Sequence, residues 1–138
     1  MGEFVKRVIF LQRNDILYIN KIQISLFGGL YSSYNDNVMN DGFLKYLLEA
    51  IEEEMFGKPI CRDVYEAAMF YTYHIIKDHI FNDGCKRTGI QSALLFLEKN
   101  GLSLKEDATS HLKEFTISIE KNQITKSQIV AWFKKNTV

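Results

Sequence analysis

Residues 62–79, RDVYEAAMFYTYHIIKDH, carry apolar side chains on most faces of a helix rather than along one stripe. A helix of that kind must be surrounded by other elements, so the segment predicts the central helix of a helical domain. Its neighbours are legible on either side. From Asn14, which can cap a first turn, NDILYINKIQISLF spaces Ile16, Ile19, Ile22 or Gln23, and Leu26 at helical intervals, and Gly28 and Gly29 stop it. After the polar loop LYSSYNDNVMN, the run DGFLKYLLEAIEEEMF repeats apolar residues at Phe43, Leu44, Leu47, Leu48 and Ile51, and FGKPIC breaks it.

Beyond the central helix, KRTGIQSALLFLEKN (86–100) has apolar residues at Ile90, Ala93, Leu94 and Leu97, with Gly101 where a left-handed cap would sit. Asp107–Glu120 reads as another helix. The last is TKSQIVAWFKKN, where Thr125 and Gln128 have the spacing of a capping box. Strand-like alternation is hard to find, and Pro59 is the single proline. The expectation is an all-α fold of about six helices, one domain over residues 1–138, without internal repeats.

A chain of 138 residues can build one core, burying about 68–70% of the unfolded surface. Lys+Arg and Asp+Glu each number 17, so no global basic field concentrates nucleic acid, and direct nucleic-acid binding is not expected. The opening MGEFVKRVIFLQRND lacks the apolar core and cleavage site of a secretion signal, and no segment has the apolar length of a membrane span. Two cysteines, Cys61 and Cys85, neither in a CxxC pair, fit reduced thiols. The expected location is the cytoplasm.

Between the central helix and the next lies HIFNDGCKRT, residues 79–88. A helix N-terminus offers unpaired N–H groups and partial positive charge, so chain entering a helix at Lys86 is suited to phosphate. Gly84 permits positive φ or close approach of a ligand. Lys86 and Arg87 add cationic charge, Asp83 can hold Mg²⁺ against phosphate oxygens, and His79 can accept a proton from an attacking hydroxyl. Phe81 is expected to point inward and pin the loop. The segment is no Walker loop, lacking the first glycine and the preceding strand. A cysteine phosphatase would need an arginine further from Cys85 than Arg87. His74, His111 and Trp132 read as structural.

The motif resembles the signature of the Fic/Doc superfamily, HxFx[DE]GN[GK]R. The following TGIQSALLFLEKNG and the upstream YINKIQISLFGG are similar to the death-on-curing (Doc) toxin branch. The resemblance implies a single Fic-type helical domain whose motif loop binds a nucleotide and modifies a protein hydroxyl. It makes His79 the general base, Phe81 the anchor, and Asp83 the Mg²⁺ ligand. Gly84, Cys85, Lys86 and Arg87 become the nucleotide and phosphate site. Lysine at position 86, where AMP-transferring Fic enzymes have glycine, points to transfer of the γ-phosphate of ATP, with elongation factor Tu as the type of target and translation as the process blocked.

Cys85 stands where the family has asparagine, and a thiol is the weaker donor. AMP transfer, or an attenuated or inactive Fic-fold binding protein, are therefore the alternatives to a kinase. EEMFGKPICR corresponds to the family's extended flap, making Phe56, Gly57, Lys58, Pro59 and Ile60 a candidate target-docking segment. Inhibitory helices of the family carry [ST]xxxE[GN]. Thr116 to Glu120 has the first spacing but is followed by Lys121, and Ser110 to Glu114 is followed by Phe115. The implied restraint is a separate partner, a Phd-like antitoxin.

Overall fold

The computed structural model describes residues 7–138; the opening residues Met1–Lys6, part of the segment read for a secretion signal, lie outside them. Six α-helices build the domain: α1 Arg13–Phe27, α2 Asp41–Ala50, α3 Val64–Lys77, α4 Cys85–Lys99, α5 Leu112–Glu120 and α6 Lys126–Asn136. Helix α3 is central, packing against α2, α4, α5 and α6. It buries Ala67, Ala68, Phe70, Tyr71, Thr72, Ile75 and Ile76, which between them point in most directions around its axis. Tyr71 is wholly buried, and its hydroxyl accepts a hydrogen bond from the Leu11 amide at 2.9 Å, tying the chain entering α1 to the core. The largest interface is α3 on α4. Gly89 lets them close: a Cβ there would stand 3.1 Å from the Thr72 carbonyl and 3.0 Å from Ile76.

The buried face of α1 is Ile16, Asn20 and Ile24, turned from the expected stripe, and Leu26 is exposed. The face is centred on Asn20, whose side-chain amide pairs with partners on other elements, described below. The cap also moves. Gln12, not Asn14, precedes the helix, and the Asp15 carboxylate reaches back to accept from the Gln12 amide at 2.7 Å. At the other end of the chain Thr125 and Gln128 form the expected box at α6. Asp107–Glu120 is not one helix: residues Glu106–His111 form tighter 3₁₀ turns before α5.

Helix α2 ends at Ala50, earlier than its apolar repeat suggests. Glu52, Glu53 and Glu54 follow, and acidic side chains at a helix C-terminus oppose its dipole. The chain instead forms a hairpin, β1 Glu54–Met55 and β2 Lys58–Pro59, antiparallel with Glu54 opposite Pro59. Phe56 and Gly57 both have positive φ, as a two-residue type I′ turn requires. This hairpin is the short extended segment of an otherwise helical domain, and the Phe56 ring at its tip is 98% exposed. Among the described residues no helix is long and apolar enough to cross a membrane.

Candidate active site

The motif begins where α3 ends. The amide of His79 donates to the Ile76 carbonyl at 3.3 Å and that of Ile80 to the Ile75 carbonyl at 3.5 Å, the paired closing bonds of a Schellman turn. His79 therefore occupies the left-handed position, φ +50°, that glycine ordinarily fills. Its side chain is exposed and makes no hydrogen bond with any described residue. Ile80 and Phe81 are wholly buried, so the loop is plugged into the core immediately after the histidine.

The loop is also held along its backbone by residues 37–40. The amides of Met39 and Asn40 donate to the Ile80 carbonyl at 2.7 and 3.1 Å, and the Asn82 amide donates to the Asn37 carbonyl at 2.8 Å. Val38 lies opposite Phe81 as in a short antiparallel bridge. The Asn40 side-chain amide donates to the carbonyls of His79, at 2.8 Å, and Asp78, at 3.3 Å.

Beneath the loop run two buried asparagines. Asn20 Nδ2 donates to the Asp83 carbonyl at 2.9 Å and to Thr88 Oγ1 at 3.0 Å, while its Oδ1 accepts from Asn37 Nδ2 at 3.0 Å. Asn37 Oδ1 in turn accepts from the Ser32 amide at 3.0 Å. A buried amide of this kind is tolerated only when its donors and acceptors are paired, and here the pairing joins α1, the 31–40 loop and the start of α4. Sequence reasoning passed over Asn20, Asn37 and Asn40. The available signal was Asn20, a polar residue midway between Ile16 and Ile24 at four-residue intervals.

Gly84 caps α4 with φ +77°, and a Cβ there would lie 3.0 Å from Ile24 Cδ1 and 3.3 Å from Asn20 Nδ2. Geometry and space both require glycine. The amides of Cys85, Lys86 and Arg87 open α4 without an acceptor among the described residues. Asp83 Oδ2 accepts from the Leu30 amide at 2.9 Å and Oδ1 from the Gly84 amide at 2.8 Å. The Leu30 bond is the largest influence holding this carboxyl below the usual carboxylate range. Partial burial opposes it, while the Gly84 bond, Arg87 and Lys86 add to it.

Arg87 donates to the Gly28 carbonyl at 2.9 Å, with its guanidinium 5.4 Å from the centre of the Phe27 ring. Lys86 Nζ reaches Glu120 Oε2, on the last residue of α5, at 3.1 Å. Cys85 is buried and its Sγ donates to the Phe81 carbonyl at 3.3 Å. Burial pushes this thiol above its ordinary pKa, against the lowering influence of Lys86, so it is not an activated nucleophile. What Cys85 offers an anion in this conformation is its backbone N–H.

His79, Asp83, Gly84, Cys85, Lys86 and Arg87 all line one cleft of about 670 Å³, closed on its far side by Leu112, Thr116 and Glu120. Phe81 lies beneath it. The candidate flap residues Phe56–Ile60 are not among the residues lining the cleft. His74 bonds Asp78 through Nδ1 at 2.8 Å against the Phe70 ring, and Trp132 stacks on Phe115.

The site suits Mg²⁺ of one kind only. Among the described residues no three acidic, histidine or cysteine side chains converge, so a cage of protein ligands is absent. A carboxylate held ionised, with one oxygen lone pair left beside each amide bond, fits an ion whose other ligands are phosphate oxygens and water.

A helical domain whose central helix turns through a left-handed histidine into a glycine-capped, cation-bearing helix start defines the class. Residues 10–97 match the model of the Fic/DOC family, and the chain belongs to that family. It is 26% identical over 115 residues to a protein named protein kinase doc, from Escherichia phage P1, a match covering 83% of this chain and 85% of that protein.

Proposed function

We propose that this chain is a Doc-type protein kinase that transfers the γ-phosphate of ATP to a hydroxyl of a protein target. A translation factor such as elongation factor Tu is the target class, and arrest of translation is the outcome, as for the toxin of a toxin–antitoxin pair in the cytoplasm. The observation that carries this reading is an exposed imidazole and three α4 amides, none of them engaged by another described residue, sharing one cleft with two cationic side chains and a carboxylate. The likeness to protein kinase doc supports the choice of phosphoryl over AMP transfer.

In this mechanism the amides of Cys85, Lys86 and Arg87, with the Lys86 and Arg87 side chains, hold and neutralise the phosphates. His79 accepts the proton of a serine, threonine or tyrosine hydroxyl as its oxygen bonds to the γ-phosphorus. The bond from that phosphorus to the β,γ-bridging oxygen breaks and ADP leaves. Asp83 would hold Mg²⁺, which when bound neutralises charge on the phosphate oxygens. Phe56–Ile60, on the hairpin, would align the target backbone by strand addition. Restraint would come from an antitoxin of the Phd type.

The engagement of the Cys85 thiol with Phe81 favours a second reading, a weakened or inactive site retained for binding. Incubation of the protein and candidate targets with ATP labelled at the γ or the α position separates the readings. Label from the γ position alone supports the kinase. Label from the α position alone overturns it in favour of AMP transfer, and no label from either overturns it in favour of a binding protein.

A further inference from the structure

We infer that Asn40 is a positioning residue for His79, its side-chain amide fixing the strained backbone from which the imidazole projects; this rests on the reading of His79 as the proton acceptor. His79 is not glycine, yet it holds φ +50°. For an L-residue that conformation is unfavourable, so the surroundings must impose it. The two closing bonds of α3, at 3.3 and 3.5 Å, are long and hold it weakly. The carbonyls that Asn40 Nδ2 grips, Asp78 and His79, belong to the peptide planes on either side of the His79 Cα. Because φ and ψ of His79 are the angles relating those planes to that Cα, one amide gripping both restrains both angles.

Among the described residues the side chain of Asn40 has no other partner. Asn40 precedes α2 at the cap position, where asparagine commonly accepts a bond from the helix start, yet it makes no such bond. Its own backbone is fixed, since the Asn40 and Met39 amides both donate to the Ile80 carbonyl and Arg13 pairs with Asp41 one residue further on. The imidazole itself has no hydrogen bond to a described residue to steer it. Its aim is therefore set at the backbone, and a base displaced by about 1 Å forfeits on the order of a hundredfold in rate.

The test compares Asn40→Ala and the isosteric Asn40→Asp with the unaltered protein, and adds His79→Gly alone and with Asn40→Ala. Glycine takes the left-handed conformation without strain, so the fall in Tm caused by Asn40→Ala should be at least halved in the His79→Gly background. In the active background kcat for phosphoryl transfer should drop by about tenfold or more while KM for ATP stays within about twofold, because the phosphate grip on α4 is untouched. The His79 ring signals in NMR spectra should move in both Asn40 variants while those of His111 do not. An equal fall in Tm in both backgrounds, with unmoved His79 signals, overturns the inference. Absence of transfer by the unaltered protein would overturn the kinase reading alone, and the melting and NMR comparisons still decide the role of Asn40.

Discussion

Lys86 Nζ and Glu120 Oε2 meet at 3.1 Å across the cleft, joining the start of α4 to the end of α5. Both side chains are roughly half exposed, so the pair is worth about 0.2–1 kcal/mol and is screened by salt. A phosphate entering the cleft competes with that carboxylate for the same ammonium. Glu120→Gln should therefore lower KM for ATP by up to about fivefold at low ionic strength, with the gain shrinking as salt is added. Steady-state kinetics at two salt concentrations check this, and an unchanged or raised KM contradicts it.

His79 stands where the closing turn of α3 favours glycine. His79→Gly should relieve about 1 kcal/mol of backbone strain and raise Tm by about 3–4 °C while abolishing transfer. Calorimetry beside an activity assay reads both effects. A variant that melts lower than the unaltered protein would mean the left-handed histidine is not strained.

Asp83 is held below the ordinary carboxylate range, first by the Leu30 amide. A carboxyl lowered in the folded state stabilises the fold above its unfolded value, about pH 4, and that contribution is lost as pH falls through the lowered folded value. Between about pH 4 and pH 2 the Tm of the unaltered protein should fall more steeply than that of Asp83→Asn. Parallel slopes would remove the linkage.

Cys85 turns its thiol to the Phe81 carbonyl and leaves the cleft one side-chain donor short. Cys85→Asn should raise transfer by about tenfold or more, the scale of one well-placed donor to developing charge. It should also lower stability slightly, since a larger polar side chain enters a buried position. Single-turnover rates and a melting curve measure the two effects, and a slower variant would mean that the backbone amides alone suffice.

Much of this was legible in the sequence, and what was not has a common cause. Helices α3 and α4 follow from apolar spacing that packing merely confirms, and the Thr125–Gln128 box marked α6 because capping is local. The motif was legible because its residues are contiguous, from His79 to Arg87. The support beneath it was not. Asn37 and Asn40 read as loop polarity, and only the fold brings them to Asn82 and His79, some forty residues away. The apolar stripe of α2 overshoots the helix because Ile51, apolar and buried just past the helix end, extends it, while the turn at Phe56–Gly57 depends on two positive φ angles.

The central claim is phosphoryl transfer driven by His79, and the intact mass of a purified translation factor incubated with ATP, Mg²⁺ and this protein tests it most directly. The account predicts a gain equal to one phosphoryl group with the unaltered protein and none with His79→Ala. A gain equal to AMP, no gain with the unaltered protein, or the same phosphoryl gain with both would contradict it.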